Sequence, residues 1–112
     1  DLKFYGPVTQ ELLNDAFMQL IEHPHFKKNM PACYDYTQAY SEIDMPDIES
    51  HAQFVAGHLD KRGSTYKLAM VSQDTLSNAL LAIYKLLISK TPVDAKVFSN
   101  QEKAHSWLIK QD

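Results

Sequence analysis

The sequence predicts a single α/β domain over residues 1–112, with a four- to five-stranded, mostly parallel or mixed sheet and about four helices. Three observations lead there. Tyr66-Lys67-Leu68-Ala69-Met70-Val71 is a short apolar run bounded by Gly63-Ser64 and by Ser72-Gln73-Asp74, which suits an interior strand. Directly after it, Leu76, Ala79, Leu80, Ile83 and Leu87 recur at helical spacing, with Leu81, Tyr84 and Leu86 widening the face. A strand that feeds a helix through a short polar turn is half of a βαβ unit, and the same alternation runs the length of the chain.

Taken in order, Leu2-Lys3-Phe4-Tyr5 reads as a strand that Gly6-Pro7 ends. Thr9 is a good N-cap for a helix from about Gln10 to Glu22, whose face is Leu12, Leu13, Ala16, Phe17, Leu20 and Ile21. Pro24 stops it. Pro31 leads into a second strand, Ala32 to Tyr36. Asp44, with Pro46 in the first turn and Asp47 three residues on, opens a second helix that turns Ile48, Ala52, Val55 and Leu59 inward. Lys61 and Arg62 suit its C-terminal end and Gly63 closes it. Asp74 or Thr75 caps the helix after the central strand, and Thr91-Pro92 ends that helix. Ala95 to Phe98 is the last strand. Ser99-Asn100-Gln101-Glu102 is a capping-box pattern opening a final helix that buries Ala104, Trp107 and Leu108. The predicted order is β α β α β α β α.

Composition narrows the function classes. Of the 112 residues, 45% are hydrophobic and 22% charged, ordinary proportions for a globular chain with one core. A net charge of −3 with scattered Lys and Arg argues against nucleic acid, whose phosphates call for a basic face. The one cysteine, Cys33, rules out an internal disulfide framework and points to a reducing compartment. Ala79 to Ile88, the longest strongly apolar segment, is far short of the roughly 20 residues of a membrane span. With no signal peptide visible, the expected location is the cytoplasm. Asp1 in place of an initiator methionine suggests a processed or trimmed piece.

Four local patterns carry a family resemblance. They are Gly6-Pro7-Val8-Thr9 entering the first helix, His23-Pro24-x-Phe26 leaving it, a strand running into Asp35, and the closing Val97-Phe98 … Ala104 … Trp107-Leu108. Together they resemble the SpoIIAA-like family, related to STAS domains and to the CRAL-TRIO lipid-exchange fold, over about residues 3 to 108. The resemblance implies that fold. It also implies a non-catalytic protein-interaction or regulatory module, with a carrier or sensor of a small apolar or lipid-like ligand as the alternative. Members usually carry more strand before the first helix than Leu2 to Tyr5 supplies, so an edge strand is either missing or outside this chain. Bacterial anti-sigma-factor antagonists among the STAS proteins present a phosphorylatable serine in a D-S-S-G-like turn. Here Met45 and Pro46 stand at those positions and Asp44 and Asp47 would repel a phosphate. The nearby hydroxyls of Thr37 and Ser41 read as turn formers.

No catalytic signature is present. His51 and His58 are seven residues apart on one predicted helix, too far along its axis to share a zinc ion, and neither HExxH nor CxxC accompanies them. The five histidines read as surface residues, Cys33 as a buried hydrophobe, and neither metal nor cofactor is expected. Three glycines cannot build a phosphate cradle. What remains is the carboxyl-end rim of the strands, where open parallel sheets bind ligands: Asp35, Tyr36 and Thr37, then Ser72 and Gln73, then Ser99. The apolar excess at Tyr84 and Leu86 fits either a lipid pocket or a homodimer seam.

Overall fold

The expected strand–helix alternation is realised in the computed structural model, which describes residues 2–63, 65–73, 75–89 and 91–110, the side chains of 75–80 excepted. The elements are β1 (Leu2–Val8), α1 (Gln10–Glu22), β2 (Ala32–Ser41), α2 (Met45–Ala56), α3 (Leu59–Arg62), β3 (Lys67–Val71), α4 (Thr75–Leu87), β4 (Asp94–Phe98) and α5 (Gln101–Ile109). The strands form one four-stranded sheet in the order β1-β2-β3-β4, every pair parallel. Right-handed crossovers that always step the same way deliver their helices to one face. Accordingly α1 packs on α2 and α2 on α4, while α5 covers the opposite face.

Local chemistry sets the helix ends. Thr9 Oγ1 accepts the Leu12 N–H at 3.2 Å, and α1 runs over the residues its periodicity predicts. Asp44 and Asp47 form a reciprocal capping box with both bonds at 3.1 Å. The last helix is capped one residue later than expected: Asn100 Oδ1 accepts the Lys103 N–H at 2.9 Å, and Ser99 stays outside. The expected cap at Asp74 and the inward face Leu76, Ala79 and Leu80 lie outside the described residues. In the C-terminal half of α4 the buried line is Leu81 and Tyr84, continued by Ile88 just past the helix end, whereas Leu87 is partly exposed and Leu86 faces outward.

Two strands are longer than their sequence suggests. β1 continues through Gly6 (φ 69) and Pro7 to Val8, because at a sheet edge the N–H that proline lacks costs nothing. β2 runs on to Ser41 with an extra residue opposite β1: Lys3 pairs with Asp35 but Tyr5 with Gln38. Asp35 Oδ1 holds this bulge by accepting from the Thr37 N–H (2.8 Å) and hydroxyl (2.7 Å).

The predicted second helix breaks in two. α2 stops at Gly57, and Arg62 ends the short α3 sealed from water instead of solvated at a helix end. Its guanidinium lies 3.6 Å from the Tyr66 ring centroid and 5.6 Å from that of Phe26. Nη1 and Nη2 make no hydrogen bond among the described residues.

Strand alternation sorts the core. Tyr34, Leu68, Met70, Ala95 and Val97 face α1, α2 and α4, and Cys33, Ala69 and Val71 face Ala104 of α5. Leu68 to Val71 are buried throughout, as a strand covered on both faces must be. Trp107 and Leu108 pack on this second layer while partly exposed, and Lys67 Nζ donates to the carbonyls of Trp107 (3.3 Å) and Lys110 (2.9 Å). A lysine there satisfies carbonyls that the end of α5 leaves open.

Candidate ligand-binding site

The layer under α1, α2 and α4 is not filled. Between it and the sheet lies an apolar cavity with ≈ 40 Å³ open to the centres of water molecules, enough for about three waters. Tyr34 and Tyr36 of β2, Leu68 and Met70 of β3, Ile48 and His51 of α2, and Leu81 and Tyr84 of α4 line it. Its lining reaches the carboxyl ends of β1 and β2 at Val8, Tyr40, Ser41 and Ile43. Tyr40 is largely exposed, so the cavity meets solvent there.

Each polar side chain is placed by its element. Tyr34 and Tyr36 are two apart on β2 and share a face; Phe4 of edge strand β1 stacks on Tyr36 (4.9 Å between centroids) and meets Tyr34 edge-on (5.8 Å). His51 sits one helical turn after Ile48, on the buried face of α2. It stacks on Tyr84 at 5.4 Å, and its Nδ1 lies 2.7 Å from Asn14 Oδ1 of α1. The expectation of surface histidines is therefore corrected for His51, which is 6% exposed.

Burial sets the charge states. It pushes the Tyr34 phenol up to about 12, against a smaller opposing pull from Arg62, and drives those of Tyr36 and Tyr84 well above their ordinary range. Burial also lowers His51 to about 4. At neutral pH the cavity thus presents three phenols and an uncharged imidazole. Arg62 does not line it, but its charge is felt at Tyr34 and Tyr84.

The rim named from sequence divides. Tyr36 turns into the cavity. Asp35 and Thr37 hold the bulge, the Ser72 N–H donates to the Phe98 carbonyl at 3.0 Å, and Gln73 Nε2 to that of Ser99 at 3.1 Å. Ser41 Oγ accepts the Ile43 N–H at 3.2 Å, the turn role its composition suggested. Tyr84 lines the cavity while Leu86 points to solvent, so the two parts of the apolar excess on α4 serve different faces. Sequence reasoning did not single out Tyr34, Asn14 or the inward face of His51. The signal for His51 was its spacing from Ile48 and Val55.

Elsewhere, the Cys33 thiol is buried and pushed up by burial, with a smaller push in the same direction from the Asp35 carboxylate. Among the described residues no three His, Cys, Asp or Glu side chains converge on a metal position, and no helix is long and apolar enough to cross a membrane.

No protein-family model and no curated protein matches the sequence. Among solved structures, an uncharacterized protein of the DUF3478 family with a SpoIIAA-like fold, from Shewanella loihica PV-4, superposes with a TM-score of 0.59 at 17% identity. The match covers 95% of this chain and 80% of that one. The fold is SpoIIAA-like. In this SpoIIAA-like domain the cavity occupies the side of the sheet that carries α1, α2 and α4, and α5 closes the other.

Proposed function

We propose that this SpoIIAA-like chain is a non-catalytic binding module that takes a small, mostly apolar ligand into the cavity between the sheet and α2 and α4. The observation that supports the reading is the cavity itself: apolar walls, three neutral phenols, one neutral imidazole and a mouth at Tyr40. Of the rim residues, Tyr36 enters this site. Nothing in the lining pairs a nucleophile with a base, and raised phenols with a lowered imidazole are poor proton carriers near neutrality. A reducing, cytoplasmic setting fits the buried, unpaired Cys33.

Methyl NMR tests the reading. Titrating the protein with small ring compounds such as toluene should shift Met70, Ile48 and Leu81 saturably and leave Ala69 and Val71 in place. Shifts scattered over the surface, or none that saturate, would overturn it. A second reading, a homodimer or protein-interaction module, is favoured by Leu86, 72% exposed, beside Leu87 on α4. Light scattering separates the two: a stable dimer that Leu86→Lys dissociates supports the second.

A further inference from the structure

The polar groups around the cavity are complementary to one kind of atom. Asn14 Oδ1 can only accept a hydrogen bond, so at 2.7 Å it fixes the proton of His51 on Nδ1 and leaves a lone pair on Nε2. Nε2 makes no hydrogen bond among the described residues, although His51 is 94% buried and lines the cavity. Tyr34, Tyr36 and Tyr84 line the same space, and their hydroxyls likewise make no hydrogen bond to another described residue. None of these atoms is sealed away from water, so water or a ligand in the cavity can complete its hydrogen bonding. One acceptor facing several donors matches an atom that both gives and takes a hydrogen bond.

Charged ligands fit poorly. A carboxylate has no proton for Nε2 and would set its own lone pairs against it. An ammonium could donate, but the nearest buried charge on this side of the sheet is the guanidinium of Arg62, which has the same sign.

Resting on the pocket reading above, we propose that the ligand is a small neutral phenol- or alcohol-type molecule whose hydroxyl donates to Nε2 of His51. The ligand oxygen accepts in turn from a lining tyrosine, and its hydrocarbon part lies against Ile48, Leu68, Met70 and Leu81. Asn14 is a positioning residue: it touches no ligand and acts by holding the imidazole tautomer.

The test titrates the intact, ¹⁵N-labelled protein with phenol, fluorobenzene and toluene. These probes share a ring and differ in the group offered to Nε2. Phenol should bind about ten-fold more tightly than fluorobenzene, the worth of one neutral hydrogen bond. On phenol binding the Nε2 resonance should move toward that of a hydrogen-bonded nitrogen while Nδ1 keeps its proton. His51→Phe should bind phenol and fluorobenzene alike. If that variant does not fold, the affinity ratio and the Nε2 shift of the unaltered protein still decide. Equal affinities for all three, with shifts at the cavity, would overturn the hydroxyl assignment and leave the apolar pocket standing. No saturable binding by any of them would overturn the pocket reading and this inference with it.

Discussion

Acidification should unfold this protein in part through His51. In the folded chain the imidazole is surrounded by Tyr84, Phe54 and the walls of the cavity, and burial lowers its pKa from 6.5 to about 4. The unfolded chain takes up the proton below its ordinary pKa, whereas the folded chain resists until about pH 4. Stability from this group is therefore complete above pH 6.5, falls steadily as pH descends to about 4, and changes no further below that. At about 1.4 kcal/mol per pH unit the loss is about 3 kcal/mol, a large part of a small domain's net stability. Carboxylates titrate in the lower part of the same window, so the measurement is a difference. Urea denaturation midpoints across the window should fall more steeply for the native sequence than for His51→Phe, which keeps a ring against Tyr84 and removes the proton site. Parallel slopes, or an NMR titration of His51 with an ordinary midpoint, would refute the reasoning.

Gly63 (φ 93) occupies a left-handed backbone conformation, and a Cβ there would lie 2.7 Å from the Asn29 N and closer still to its side-chain amide, so Gly63→Ala should destabilise by about 2–4 kcal/mol in chemical denaturation. Arg62→Met should leave stability unchanged or raise it by about 1–2 kcal/mol, since a buried charge with no ionic partner among the described residues is replaced by a flexible hydrophobe; a large loss would reveal a partner for the guanidinium. Met70→Asp places a carboxylate in the closed central strand and should cost several kcal/mol, of the order of 4, read as a fallen melting temperature. The Cys33 thiol, 1% exposed, should resist a thiol reagent in native buffer and react at once in denaturant.

The parts legible in the sequence are those decided within a few residues. Thr9 and the Asp44–Asp47 pair announce helix starts because capping needs a particular oxygen at a particular offset. The apolar run at Leu68 to Val71 announces a strand covered twice. What stayed hidden depends on partners distant in the chain. Gly6-Pro7 looks like a terminator until β1 proves to be an edge, and the extension of β2 past Tyr36 appears only once β1 pairs with it. Arg62 looks like a solvated helix end until Tyr66 and Phe26 fold over it. For the site, strand order explained why a rim should exist and supplied Tyr36. The imidazole and the other two phenols gain meaning only where three helices and two strands meet.

The order β1-β2-β3-β4 also bears on how the chain acquires its shape. No later strand has to wedge between two earlier ones, so each pairing, Leu2 with Tyr34, Ala32 with Leu68 and Leu68 with Ala95, closes a loop of about thirty residues onto a surface already present. Assembly can therefore advance from the first strand to the last, in the direction of synthesis, as repeated additions of one strand and one helix. Among the described residues, α5 is the helix that covers the side of the sheet bearing Cys33, Ala69 and Val71. A nascent chain stalled before Gln101 therefore carries this apolar strip uncovered by α5, a surface a chaperone would recognise.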